Sequence, residues 1–205
     1  MLKLTVENLG KRFGARQVFG NISFSLEQGK SLAIVGPNGS GKTTLLYLIM
    51  GLLHPTEGRV AFFDGGRELD YESRQARLSL VAPYLSLYES LTARENLRFF
   101  ANVGGCCLTD NRVESLLDQV GLPGRGDDFV STYSSGMKQR LKFAVAFLKN
   151  PTIVLADEPG ANLDESGKRL VFGMLEGWRK SAIVIIATNE PKECSHADET
   201  CKLGG

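Results

Sequence analysis

The sequence predicts an α/β fold: a parallel central sheet, an antiparallel β unit at the N-terminus and a helical insert. Three observations carry this expectation. SLAIV (Ser31–Val35), IVLA (Ile153–Ala156) and the run Ala182–Ala187 are short, almost purely apolar stretches rich in β-branched residues, as in strands buried on both faces. Segments of helical period alternate with these runs, and that alternation implies a parallel sheet. Apolar and polar residues alternate at Leu2, Leu4 and Val6, and again at Ile22, Phe24 and Leu26, as in half-buried antiparallel strands.

The remaining elements follow in chain order. A helix is expected from about Thr43, with Leu45, Leu46, Leu48 and Ile49 apolar and Gly51 as its C-cap. GRVAFF, from Gly58, reads as a strand. From about Leu85 the pattern turns helical, and Thr92-Ala-Arg-Glu95 is a capping box opening a helix through Phe100. Val113, Leu116, Leu117 and Val120 fall at helical spacing and are closed by Gly121. Leu141, Val145 and Leu148 mark a further helix, stopped by Asn150-Pro151. After the strand IVLA, a last helix shows Leu170, Met174 and Trp178 at four-residue spacing.

Composition narrows the partners. The 205 residues are 42% hydrophobic and 23% charged, ordinary for a globular chain. With 24 basic and 23 acidic residues, the net charge of +1 leaves no electrostatic footprint for nucleic acid. No apolar stretch approaches the roughly 18 residues that span a bilayer. MLKLTVENL lacks the basic region and apolar core of a signal peptide, so a cytoplasmic location is expected. Cys106, Cys107, Cys194 and Cys201, with His54 and His196, lack metal-ligand spacing and read as structural or incidental.

Two motifs carry chemistry. Gly36-Pro37-Asn38-Gly39-Ser40-Gly41-Lys42-Thr43 fits the phosphate-loop pattern and sits after a buried strand and before a helix. Its glycines let backbone N–H groups converge on phosphate oxygens, and the helix N-terminus adds positive potential. Lys42 can reach the β- and γ-phosphates, and Thr43 can bind Mg²⁺. The second motif, Asp157-Glu158, closes a buried strand at the edge where open α/β sheets bind ligands. Asp157 can hold Mg²⁺ through water, and Glu158 can orient or deprotonate an attacking water.

A third element, YSSGMKQRL from Tyr133, resembles the signature motif of the ABC ATPases, usually LSGGQ. Ser134 and Gly136 match, whereas Tyr133, Ser135 and Met137 differ. GPNGSGKTT, LTARENL, YSSGMKQRL, ADEPGANLD and IIATNE occur in the order of ABC nucleotide-binding domains, over essentially the whole chain. The resemblance implies a P-loop NTPase (RecA-like) core with ATP and Mg²⁺ as ligands. It implies one domain over 1–205, with 1–83 and 151–205 as the ATP-binding core and 84–150 as the helical subdomain. By position, Phe13 stacks on adenine, Gly36 through Thr44 cradle the triphosphate, Asp157 completes the Mg²⁺ site with Thr43, and Glu158 is the catalytic carboxylate. Ser134 and Gly136 contact the ATP of a second ABC domain, identical or different, and Asp164 ends the D-loop at the dimer interface. A helix N-terminus at Ser134–Gly136 agrees physically, since it offers free N–H donors to an anion.

Two positions depart from the family. Its switch histidine is Asn189 here, a residue that keeps an amide donor but is shorter and carries no proton charge. A weakened contact to the γ-phosphate, slowing hydrolysis, is expected. The glutamine that precedes the helical insert is missing, its place falling at or near Pro83. The resemblance therefore implies the ATP-hydrolysing subunit of a membrane ABC transporter of small exporter type, peripheral on the cytoplasmic face and bound to a separate permease. The alternative is an ATP-dependent dimerising module with little hydrolysis of its own. A soluble DNA-repair or translation ATPase fits less well, because those carry coiled coils or fused ABC domains. The coupling surface for a permease is expected near Pro83–Leu91, at Tyr84, Leu85, Leu87 and Tyr88.

Overall fold

The computed structural model describes residues 1–204. In chain order these form β1 (Leu2–Phe13), β2 (Arg16–Glu27), β3 (Ser31–Val35), α1 (Lys42–Met50), β4 (Glu57–Asp64), β5 (Arg67–Glu68), α2 (Tyr71–Gln75) and β6 (Leu78–Val81). There follow α3 (Ala93–Val103), α4 (Asp110–Gln119), α5 (Ser135–Ala146), β7 (Ile153–Asp157), α6 (Glu165–Arg179), β8 (Ile183–Thr188) and β9 (Glu199–Lys202).

The two sheets are those the patterning predicts. An antiparallel sheet of order β2-β1-β4-β5 uses the alternating N-terminal strands, with Leu4 opposite both Leu26 and Phe62. A parallel sheet of order β6-β7-β8-β3-β9 uses the continuous apolar runs. Every residue of β7 and β8 is buried, because helices or the antiparallel sheet cover both faces. One apolar cluster joins the antiparallel sheet to α1 and one side of the parallel sheet. A second joins α3–α6 to the other side.

Helix boundaries follow local chemistry. Gly51 caps α1 at φ 79°, with its N–H on the Leu48 carbonyl. Thr92 and Glu95 form the capping box of α3, each side chain accepting the other's backbone N–H. Asn150 ends the helical stretch in the left-handed region, φ 47°.

The structure corrects one expectation, adds two strands and resolves the face of one helix. Leu85–Leu91 is an irregular loop and not helical; Asn96 fastens it to α3. This side chain is fully buried, accepts from Tyr88 N–H at 2.8 Å and donates to the Tyr88 and Thr92 carbonyls at 2.9 Å. β6 lies inside an apolar run too short and too close to that loop to stand out. β9 (ETCK) has no apolar pattern, because it is an edge strand placed by pairing with β3. On α6 the fully buried face is Val171, Phe172 and Leu175, and Leu170, Met174 and Trp178 flank it half-buried. The four-residue spacing marked the helix but its margin, since the core-facing stripe is wider than one row.

Asn96→Leu tests the fastening. It keeps the volume but strands the Tyr88 N–H and carbonyl, so stability falls by about 2–4 kcal/mol in urea unfolding.

Candidate functional site

The phosphate loop, Gly36–Gly41, runs from β3 into α1 and folds back on itself. Gly39 and Gly41 have φ 83° and 99°, which side chains rarely adopt. A Cβ on Gly41 would lie 2.5 Å from Val18 Cγ1 and 2.9 Å from Phe19 Cδ1, so β2 presses the loop from behind. Lys42 is only 5% exposed, and its Nζ donates to the carbonyls of Gly36 (2.9 Å) and Pro37 (3.2 Å). The ammonium is thereby held inside the curl of the loop, 3.7 Å from Glu158 Oε1.

β7 delivers the acidic pair to the same place. Thr43 Oγ1 donates to Asp157 Oδ2 at 2.6 Å. Asp157 Oδ1 is buried without any partner. Burial pushes this carboxyl above its ordinary range, against the Thr43 hydroxyl and the Lys42 charge, which pull it down. A buried carboxylate oxygen with an unused lone pair beside a hydroxyl is a donor set for a hard divalent cation. Glu158 has φ 46°, a strained conformation for a residue with a side chain. Its backbone N–H holds the Ala187 carbonyl at 2.8 Å.

These groups line one cleft of about 630 Å³. Of the predicted residues, Phe13, Asn38, Gly39, Gly41, Lys42, Thr43, Thr44, Asp157 and Glu158 line it. Gly36, Pro37 and Ser40 form the loop behind this surface. Phe13 is 52% exposed, so it is not a core residue, and Lys11 Nζ sits 4.9 Å from its ring centre. Asn189 lies outside the lining, yet its Nδ2 donates to Asn38 Oδ1 at 3.1 Å, tying the tip of β8 to the phosphate loop.

Sequence reasoning missed part of the lining. Arg16 and Val18 join Phe13 at the open end. Pro83 and Tyr84 close the side nearest Asp157. Tyr84, expected on an outer coupling surface, is half exposed and also sets its ring edge-on to Tyr47 of α1 at 6.2 Å. Burial, with Tyr47 next, drives its phenol well above the ordinary range. The missing glutamine was the available signal, because a neighbour of that position has to occupy its space. Tyr88 does remain at the surface, against Phe99 at 4.6 Å.

A second cleft, of about 450 Å³, gathers Ser134, Gly136 and Asp164. Ser134 caps α5, accepting from Met137 N–H, and Asp164 caps α6, accepting from Gly167 N–H at 2.8 Å. The Gly167 and Ser166 donors hold the Asp164 carboxyl below its usual range. Tyr133, which differs from the usual signature leucine, fills the same apolar role: its ring is in the core and its hydroxyl donates to the Arg125 carbonyl at 2.7 Å.

Comparison with known proteins places this geometry. The family model described as ABC transporter matches residues 19–161. A cytochrome c biogenesis ATP-binding export protein, CcmA of Rhizobium etli, is 36% identical over 207 aligned residues, covering 99% of this chain and 95% of that protein. The ABC transporter ATP-binding protein YdbJ of Bacillus subtilis is 36% identical over 81% of this chain. The chain spans 54% of the length of YdbJ and 62% of that of the linearmycin resistance protein LnrL of the same bacterium. Among solved structures, an ABC transporter ATP-binding protein from Pyrococcus furiosus superposes with a TM-score of 0.85 at 26% identity, covering 98% of this chain and 97% of that one. The dimeric ATP-binding cassette MJ0796, bound to ADP and phosphate, shares the fold at TM-score 0.82 and 23% identity. Among the described residues no helix is long and apolar enough to cross a membrane. The phosphate loop, the acidic pair and the capped signature helix are thus built on a known frame, and the chain belongs to the ABC transporter ATP-binding family.

Proposed function

We propose that the chain is the ATP-hydrolysing subunit of a membrane ABC transporter of exporter type. The observation that carries this is the convergence of Lys42, Thr43, Asp157 and Glu158 in one cleft, with Thr43 and Asp157 2.6 Å apart. In this reading residues 1–83 and 151–205 form the ATP-binding core and 84–150 the helical insert of one domain. Phe13 stacks on the adenine, and loop N–H groups from Gly36 to Thr44 take the phosphates.

Lys42 is held by carbonyls that spread its charge without neutralising it, so it can turn to the γ-phosphate. Thr43 and the free oxygen of Asp157 would hold Mg²⁺, which would supply neutralisation of phosphate charge. Glu158 accepts a proton from water as the water oxygen attacks the γ-phosphorus, and ADP and phosphate leave. Asn189 donates to the γ-phosphate in place of a histidine once it leaves Asn38.

The second cleft serves a second ABC domain. Ser134 and Gly136 meet the γ-phosphate of that domain's ATP, and Asp164 lies at the joint, so binding closes the pair and hydrolysis opens it. The permease is a separate, membrane-spanning polypeptide, and this chain sits peripherally on its cytoplasmic face. The exposed aromatics of the insert, Tyr88 and Phe99, are its contact. CcmA is a cytochrome c biogenesis export protein and LnrL a linearmycin resistance protein; similarity to both leaves the cargo unassigned. The exposed, short Asn189 favours a second reading, an ATP-driven clamp with little turnover.

Two measurements test these assignments. Steady-state Mg²⁺-ATPase of the wild type should exceed that of Glu158→Gln, and Asn189→His should be at least about tenfold faster than wild type. Wild type equal to Glu158→Gln, with ATP still bound, would leave the clamp. Asp157→Asn should raise the melting temperature of the nucleotide-free protein by removing a poorly satisfied buried charge. It should also abolish the further rise that Mg²⁺ with ATP gives the wild type.

A further inference from the structure

The clefts have no lining residue in common, yet a chain of polar contacts, buried at Thr188 and Glu193 and exposed at Glu190, runs between their edges. It starts at Thr188, the last residue of β8, which is 1% exposed. Its Oγ1 donates to Glu193 Oε2 at 2.6 Å and accepts the Glu190 N–H at 3.0 Å. Glu193 is itself 5% exposed, in the short 3₁₀ turn Pro191–His196. Its other oxygen faces Lys168 Nζ at 3.7 Å, and the same ammonium binds both Glu190 oxygens at 2.7 and 2.8 Å. Lys168 stands in the first turns of α6, its backbone N–H on the Asp164 carbonyl at 2.9 Å.

The loop between the clefts rests on this pair. A Cβ on Gly160 would overlap Glu193 Oε1 and come within 3.3 Å of Lys168 Cε. Gly160 lies two residues after Glu158 and directly before Ala161-Asn-Leu-Asp164. At the other end, Thr188 is bonded in sequence to Asn189, whose amide holds Asn38 of the phosphate loop.

We infer that Lys168 and Glu193 are positioning residues that couple the phosphate-contacting tip of β8 to the Asp164 end of α6, so that occupancy of one cleft sets the shape of the other. This rests on the reading of the first cleft as an ATP site. The physical argument has two parts. Glu193 is the buried member of the network: such a carboxylate adds little net stability but specifies position, because loss of Lys168 leaves its charge unpaired in a largely apolar setting. Lys168 also has two carboxylate partners on one short segment, one close and one longer, which gives the contact two discrete arrangements. Movement of Asn189 from Asn38 toward a phosphate carries Glu190 with it, and Lys168 either follows or transfers to Glu193. Either response shifts the first turn of α6.

Hydrogen–deuterium exchange of the full chain, with and without Mg²⁺ and ATP, tests this, with ATPase kinetics beside it. In the wild type ATP should slow exchange at residues 36–44 and at 161–168. In Lys168→Met the protection at 36–44 should remain while that at 161–168 falls about tenfold, and kcat should fall by a similar factor with KM within about twofold. Lys168→Arg keeps the charge and should recover both. The double variant Lys168→Met, Glu193→Gln leaves no stranded carboxylate at Glu193 and keeps an acceptor for Thr188. It should behave as Lys168→Met does even if the single variant folds poorly. Wild-type protection at both segments, unchanged in all variants, overturns the coupling and leaves the ATP site standing. Failure of ATP to protect 36–44 in the wild type overturns the ATP-site reading and the coupling with it.

Discussion

The hydrogen bond from Thr43 to Asp157 is the junction on which the rest of the site depends. It joins the first turn of α1 to the end of β7, two elements whose parent strands are not neighbours in the sheet, since β8 lies between β7 and β3. Nothing local brings them together. The parallel register does, with Ala156 beside Ile186 and Val35 beside Thr188. The apolar side chains of β7 and β8, all buried, contribute about 1.5–3 kcal/mol for each large residue. That sum outweighs the several kcal/mol that a buried, half-satisfied carboxylate costs. The sheet can therefore carry Asp157 with one oxygen unpaired, a state that would be expelled from a weaker core.

The same logic sets the insert. Its helices bury their own apolar faces against β7 and β8 from the side opposite to α1. The loop that leads into it is short of regular backbone hydrogen bonds, and one buried asparagine supplies them. Thus Asn96 holds the loop carrying Tyr88, while Lys142 donates to the Pro83 carbonyl at the edge of the first cleft. Asn96 is buried where loop backbone would otherwise be unsatisfied, whereas Asp157 and Glu193 are buried charges, each beside a threonine hydroxyl and a lysine.

Much of the site was legible in the residues because its chemistry is local. A phosphate loop needs glycines at Gly39 and Gly41 where φ is positive, and a lysine and threonine at the helix start. Capping boxes and N-caps at Thr92, Ser134 and Asp164 depend on residues three positions apart. Long-range placement was harder to read. Tyr84 was expected on an outer surface, and it is half exposed there while also lining the cleft, because its ring meets Tyr47 of α1. Arg16 and Val18 carry no motif, and they reach the cleft only through the pairing of β2 with β1. The role of Glu193 was invisible, since EPKEC reads as solvated turn until Lys168 from α6 is set against it.

The sequence by itself determined the longer strands, most helices and the chemical identity of the phosphate loop and acidic pair, because periodicity and capping act over a few residues. The tertiary structure alone decided the strand order, the edge strand β9 and the contact of Tyr84 with Tyr47. It alone gathered Ser134 with Asp164 in one cleft, and joined Thr188, Glu193 and Lys168 under Gly160. Those depend on contacts between residues far apart in the chain, whose partners are selected by packing and by the cost of leaving buried polar groups unpaired.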